Sequence, residues 1–565
     1  MDITITINEK KPSPMEQLQS PELNPPNLLT LPPEIQAKIL SHLAASFGRS
    51  SIQPVLRTCK TLHEVALPIS VSEFRNTHES KVQGPCSRLR NAQFLRYILV
   101  SKPWLAKHVN TVIFGQISNG DDEESREYTE GGEPDPRIAT DKELAVYRQH
   151  IELILGQLPS GYTDKWCNHW MLDLKRGTSD AQISLILLAC PNIRTILFEM
   201  SRHKSHFVRL LNLVRSLVDI NTSIHTPGSE WGDGNHPDMV IPLSNVQDVF
   251  HETVNYRSGY SEFDMDGPDL FALPRLRFYE CILARGNDAT ERRFGDLPRG
   301  SSSVEEITLH SSSSTPGALK KMLRTCRTLK KFEFTHYGYD MSGLMTPRDI
   351  LHAVLPHADT IEDLYINMDD VWDKGWNWQD NPERLYMGTQ LRELRVLKRL
   401  TLGMQALTGM LGAKHLNHTQ VAHQMPMQIE GATRLVDCLP ENLEYLKVCM
   451  CGLGIVEQVE DLIKAVEEGD RFRKLTHICL LFNGWTTEKE VDKSQVRLVC
   501  QAPGVHLEID FQNPIRAAFD LGRTIGEEAS KQPCNVTSRI HAQNRRQHYF
   551  ETRGGSETTW YSRHL

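Results

Sequence analysis

The sequence predicts a mixed α/β chain in which a small all-helical unit precedes an irregular solenoid of parallel strands and helices. Three observations carry that expectation. A six-residue pattern (apolar, two others, apolar, one other, apolar) recurs along most of the 565 residues. From residue 246 its start-to-start gaps are 30, 28, 25, 32, 36, 46, 32 and 30 residues, the mark of stacked repeats. Residues 31–43, LPPEIQAKILSHL, set two prolines and a short apolar helix ahead of the repeats.

Residues 1–28 are rich in proline and polar groups, and disorder is expected there. The helical unit spans 29–75. Proline suits the first turn of a helix and disfavours helix in the residue before it, so the helix should start at Pro33. Glu34 then sits at the positive helix end, where a carboxylate is favoured. Ile35, Ile39 and Leu43 repeat every four residues, and Leu40 widens the stripe. Gln36, Lys38, Ser41 and His42 take the other side. A second apolar set, Val55, Leu56, Cys59, Leu62, Val65 and Ala66, follows at helical spacing, and Pro68 should stop it. So small a unit buries too little surface to be comfortable alone. Something else should cover part of it.

The solenoid is expected over 76–520. The clearest copies of its pattern are IRTILF (193–198), VEEITL (304–309), LKKFEF (329–334), IEDLYI (361–366), LKRLTL (397–402), LEYLKV (443–448) and LTHICL (475–480). Weaker copies start at 109, 246 and 276, and a degenerate one at 505. The stretches between them are helical in spacing. PGALKKMLRTCRT gathers Leu319, Met322, Leu323 and Cys326 on one face, and RDILHAVLPHA and VEDLIKAVEE behave alike. One strand plus one amphipathic helix cannot cover its own apolar face, so stacking neighbours must do it. Strand side chains alternate. In LKKFEF, Phe332 and Phe334 should turn to the helices, and Lys331, Glu333 and Thr335 to the open side. The same alternation nominates Glu306, Thr308, His310, Asp363, Tyr365, Asn367, Arg399, Thr401, Tyr445 and Lys447. The 84 residues from 109 to 193 break the rhythm and hold degenerate units or an insertion. The acidic run 121–137 reads as a solvated loop, and 521–565 as a loose tail.

Hydrophobic residues make up 39% of the chain, enough for a substantial core, and the formal charge is −8. That mild acidity speaks against a nucleic-acid partner. No apolar run is long enough to span a membrane, and the start lacks the basic-then-apolar order of a secretory signal. A cytoplasmic or nuclear location is expected, with the twelve scattered cysteines as buried thiols. No phosphate loop, dinucleotide fingerprint, zinc-protease motif or nucleophile elbow occurs, so no enzyme, cofactor or metal is expected. Cys449 and Cys451 lack the second pair that a zinc clasp needs. His415, His418 and His423 have no ligand pair at metal spacing. Cys167 and His169, between Trp166 and Trp170, read as a packed aromatic segment.

The LxxLxL strands over roughly 109–510 resemble the leucine-rich repeat family, with irregular lengths. The family often sets Asn or Cys three residues after the last apolar position, as Cys451 and Asn483 do here. LPPEIQAKILSHL, followed by LRTCKTLHEVA, resembles the F-box family through Leu31, Pro32, Glu34, Ile35, Ile39, Leu40, Leu43, Leu56, Cys59 and Lys60. That resemblance implies docking on a Skp-type adaptor, and through it a cullin, with Leu31, Pro32, Ile35, Ile39 and Leu40 as contacts. Leu43, Leu56 and Leu62 are expected in the unit's own core. The open face would then hold a protein substrate, with Lys331, Glu333 and Tyr365 as candidates. Trp372, Trp376 and Trp378 join them, since three indoles in seven residues either anchor a partner or fold back on the solenoid edge. The expected function is substrate recognition for a ubiquitin ligase of that type. The alternative is an interaction scaffold with no ligase role.

Overall fold

Each of the eleven copies of the repeat pattern becomes one strand of a parallel sheet. The computed structural model describes residues 28–76, 87–117, 137–156, 163–200, 206–224, 241–253, 267–282, 284–336, 345–368, 386–409, 431–452, 454–469, 471–482 and 504–511. The expectations for 1–27, most of the acidic run, the three tryptophans, the histidines of 415–423 and the tail beyond 520 lie outside these residues. The described residues divide into two units, at Ser72/Glu73.

In the first unit, α1 (Pro33–Phe47) starts at the expected proline. A short turn, Val55–Arg57, leads into α2 (Lys60–Val71). Leu40, Ala44, Ile52 and Ala66 form the core, with Leu43, Val55, Leu56, Val65 and Ile69 packed against it. Leu62 is buried as well. Two expectations are corrected. Pro68 does not stop α2, which continues for three residues beyond it. So near the helix end, the missing N–H forfeits one backbone bond, and Ser70 and Ser72 hydroxyls bond the carbonyls of Leu67 and Ile69. Gln36 does not take the solvent side. It is buried, and its amide donates to the Leu31 carbonyl at 2.8 Å, pinning the chain that enters α1.

The second unit begins with β1 (Glu73–Asn76), a strand the repeat pattern does not announce, three residues before the boundary expected from sequence. The strands that follow are β2 (Thr111–Ile117), β3 (Thr195–Met200), β4 (Asp248–Thr253), β5 (Phe278–Ile282), β6 (Arg285–Gly286) and β7 (Glu306–Ser314). Then come β8 (Lys331–His336), β9 (Asp363–Asn367), β10 (Arg399–Gly403), β11 (Tyr445–Cys451), β12 (His477–Phe482) and β13 (His506–Phe511). They pair in sequence order, except that β6 sits off the path, beside β7. Every pair is parallel, as short strands joined by helical crossovers must be.

Between β2 and β3, which are direct neighbours, the described residues of the long gap include three helices: α3 (Asp141–Leu155), α4 (Thr163–Arg176) and α5 (Ser179–Ala189). An α6 (His206–Ile224) follows β3. Later crossovers include α7 (Pro316–Thr325), α8 (Pro347–Val354) and α9 (Ile455–Glu467). Their starts are chemically marked. Thr315 accepts from the Ala318 N–H, and Thr346 forms a reciprocal capping box with Asp349. A continuous core runs between sheet and helices, with Phe332, Phe334, Leu364, Ile366, Leu400 and Leu446 essentially sealed.

Candidate functional site

Strand register lines the open-face side chains into rows. The row at the strand starts runs Asp248, Phe278, Glu306, Lys331, Asp363, Arg399, Tyr445, His477 and His506. Two residues on, a parallel row runs Phe250, Glu280, Thr308, Glu333, Tyr365, Thr401, Lys447, Cys479 and Glu508.

The two ends of this face differ in chemistry. Ile113, Leu197, Phe250 and Phe278 form a separate apolar cluster on β2 to β5, each under 10% exposed. Strand alternation leads to the expectation of a polar open face, and this cluster departs from it. The signal is present: TVIF, TILF and DVF are apolar at both parities, as strands buried on both faces are. From β9 onward the first row is polar and accessible. Arg399 lies 3.5 Å from Asp363 and stacks 5.1 Å above the Tyr445 ring. His477 and His506 are both exposed, with ring centroids 5.6 Å apart.

Lys331 and Tyr365, nominated from sequence, are half-buried on this face. Glu333 is on the expected side, yet only 3% exposed, and is corrected as a surface contact. It sits in register between Thr308 and Tyr365, and strand spacing of about 4.8 Å crowds same-face neighbours over it. His310 and Lys331 lie 3.9 and 3.7 Å from its carboxylate. Thr308, His310, Asn367 and Thr401 are buried too, so the accessible part of the face is chiefly its first row. Burial lowers the affinity of His310 for a proton, opposed by the Glu333 charge.

The first unit presents a different surface. Ile35 and Ile39, one turn apart on α1, are 40% and 42% exposed. Pro32 is exposed and Leu31 half-buried, while Leu29 and Phe47 add further open apolar area. Leu40 is corrected as a contact: at 1% exposure it fills the unit's own core. Cys451 is buried at the expected repeat position, its thiol donating to the Val448 carbonyl at 3.2 Å. Asn483 lies outside the described residues.

Residues 87–363 match the family model of a leucine-rich repeat domain. No F-box match accompanies it. No curated protein matches the chain. The solenoid therefore carries a leucine-rich repeat domain, and the same ladder continues past the match through β10 to β13. Such a domain supports a role in protein interaction. Among the described residues no helix is long and apolar enough to cross a membrane.

Proposed function

We propose that this protein is a non-enzymatic recruiting subunit of a cullin-based ubiquitin ligase. Its first unit acts as an F-box and docks on a Skp-type adaptor. Its solenoid holds a protein target. One observation carries this reading: α1 keeps Ile35 and Ile39 open while Leu40 and Ala44 close the core beneath them. Covering an isoleucine on binding stabilises a complex by ~1.5–3 kcal/mol, and a few such anchors dominate an interface. Leu31 and Pro32 extend the contact; Leu40 does not belong to it. On the solenoid, Lys331, Arg399 and Tyr445 of the first row, with Tyr365 of the second, face the target, and Trp372, Trp376 and Trp378 remain candidates. The chain's contribution to ubiquitin transfer is proximity, which raises the effective concentration of the target near the charged enzyme. Among the described residues the cysteines stand outside any disulfide, which suits a cytoplasmic or nuclear setting.

Because the family match covers repeats alone, a scaffold without ligase role is the second reading. Co-purification separates the two. The intact chain should bring down both adaptor and cullin, and Ile35→Ser with Ile39→Ser should lose both while keeping its circular dichroism. Adaptor without cullin supports the scaffold, and unchanged capture by the double variant sinks the adaptor surface.

A further inference from the structure

Within the second unit, the packing of α4, α5 and α6 gathers two histidines and an aspartate. His169 and Asp173 stand one turn apart on α4, an i, i+4 spacing that puts both on one face. His206 opens α6, more than thirty residues later. Asp180 of α5 fixes that helix start, accepting from the His206 N–H at 2.7 Å and the Phe207 N–H at 2.9 Å. His206 is fully buried, and its Nε2 lies 2.8 Å from Asp173 Oδ2. His169 Nδ1 lies 3.5 Å from the same oxygen. The two imidazoles stack with centroids 5.3 Å apart, and Trp170 packs against His206 at 5.5 Å. One donor atom from each of the three residues lies within 4.8 Å of the others.

We propose that His169 Nδ1, Asp173 Oδ2 and His206 Nε2 bind one divalent transition-metal cation of the zinc class. Two imidazoles and one carboxylate suit Zn²⁺ or Co²⁺, whereas Mg²⁺ and Ca²⁺ favour all-oxygen sets. His206 and Asp173 are already pre-positioned by Asp180 and by their own hydrogen bond. His169 is 49% exposed at its side chain, so it can close the remaining distance by moving its ring. The cation replaces the direct hydrogen bond between Nε2 and Oδ2. The imidazole then carries its proton on Nδ1, which has no hydrogen-bond partner. Arg176 Nη1, 3.6 Å from Asp173, faces the other oxygen, Oδ1, and leaves Oδ2 for the metal. Three protein ligands leave a fourth position for water beside the exposed His169. Bound there, the cation ties α4 to the start of α6 and stabilises the folded chain by mass action.

The test uses the full chain stripped of metal by a chelator, then titrated with Co²⁺ alone and followed by visible d–d absorption. Wild type should develop bands at one equivalent, lose them to added Zn²⁺, and melt at a higher temperature with Zn²⁺ than without. His169→Ala, at an exposed position, should fold as wild type when metal-free. Its affinity should fall at least roughly tenfold, the lower end of what losing even an outer-shell partner costs. Asp173→Asn should do the same. Absence of bands in wild type overturns the proposal. So does His169→Ala that binds as tightly as wild type, which would place the metal elsewhere among the chain's histidines and cysteines.

Discussion

Glu143 shows how much one side chain can be asked to hold. It closes the capping box of α3, accepting from the Thr140 N–H at 2.8 Å. It also accepts from the Arg96 guanidinium through both oxygens, and Arg96 in turn reaches the Arg137 carbonyl. The Arg96 hydrogen bonds hold its carboxyl below the ordinary value of 4.5, against burial, which pushes the other way. The folded state thus binds this proton less readily than the unfolded chain. The stabilisation is complete above about pH 4.5 and is lost as pH falls through the lower, folded value. Glu143→Gln should cost about 1.5–3 kcal/mol at neutral pH, the usual worth of a charge-assisted hydrogen bond. In urea unfolding across pH, that deficit should shrink below about pH 4.5. A deficit that stays constant down to pH 3 would show that shape, not charge, is what Glu143 supplies.

At the scale of single elements, the strands were legible because their signal is local. In LKKFEF the parity of the apolar positions alone assigns Phe332 and Phe334 to the core, and both are 0% exposed. Phe334→Ala should therefore cost about 3–5 kcal/mol, and Lys331→Ala, a half-buried side chain on the other face, should cost less than that. Equal losses in chemical denaturation would contradict the assigned parity. Features set by neighbours were not legible. β1 carries no copy of the pattern and is defined by its pairing with β2. Glu333 lies on the predicted face, but its burial depends on Thr308 and Tyr365 in adjacent strands. The continuation of α2 through Pro68 depends on where the helix ends. His169 and Asp173 are visible as a one-turn pair, yet nothing local tells that His206 joins them. On α1 the stripe was legible, but Leu40 and Ile39, adjacent in sequence, fall on opposite sides of the boundary between core and open surface.

Across the molecule, stacking demands that each repeat meet the right neighbour, and a charge pattern favours that order. Along the main ladder from β5 to β11, with the off-path β6 set aside, the residue just before each strand is in turn Arg277, Glu305, Lys330, Glu362, Lys398 and Glu444. Signs alternate without a break. Each of these residues continues the ladder through backbone bonds, such as Lys330 N–H to Glu305 and Glu362 N–H to Lys330. Side chains pair across it: Arg277 and Lys330 reach Glu305 at 2.8 and 3.1 Å, and Lys398 reaches Glu362 at 2.6 Å. These ion pairs are largely exposed, so each contributes little to stability by itself. Their order carries more information, because skipping one repeat sets like charges side by side. Glu362→Lys tests this directly, creating three consecutive cations at positions 330, 362 and 398. Its melting temperature should fall below wild type in low salt, and the gap should narrow as salt is raised toward 1 M, where the screening length drops to about 3 Å. Glu362→Gln should lose less. If the two variants melt alike at every salt concentration, the alternation has no part in keeping the repeats in order, and apolar stacking alone sets their sequence.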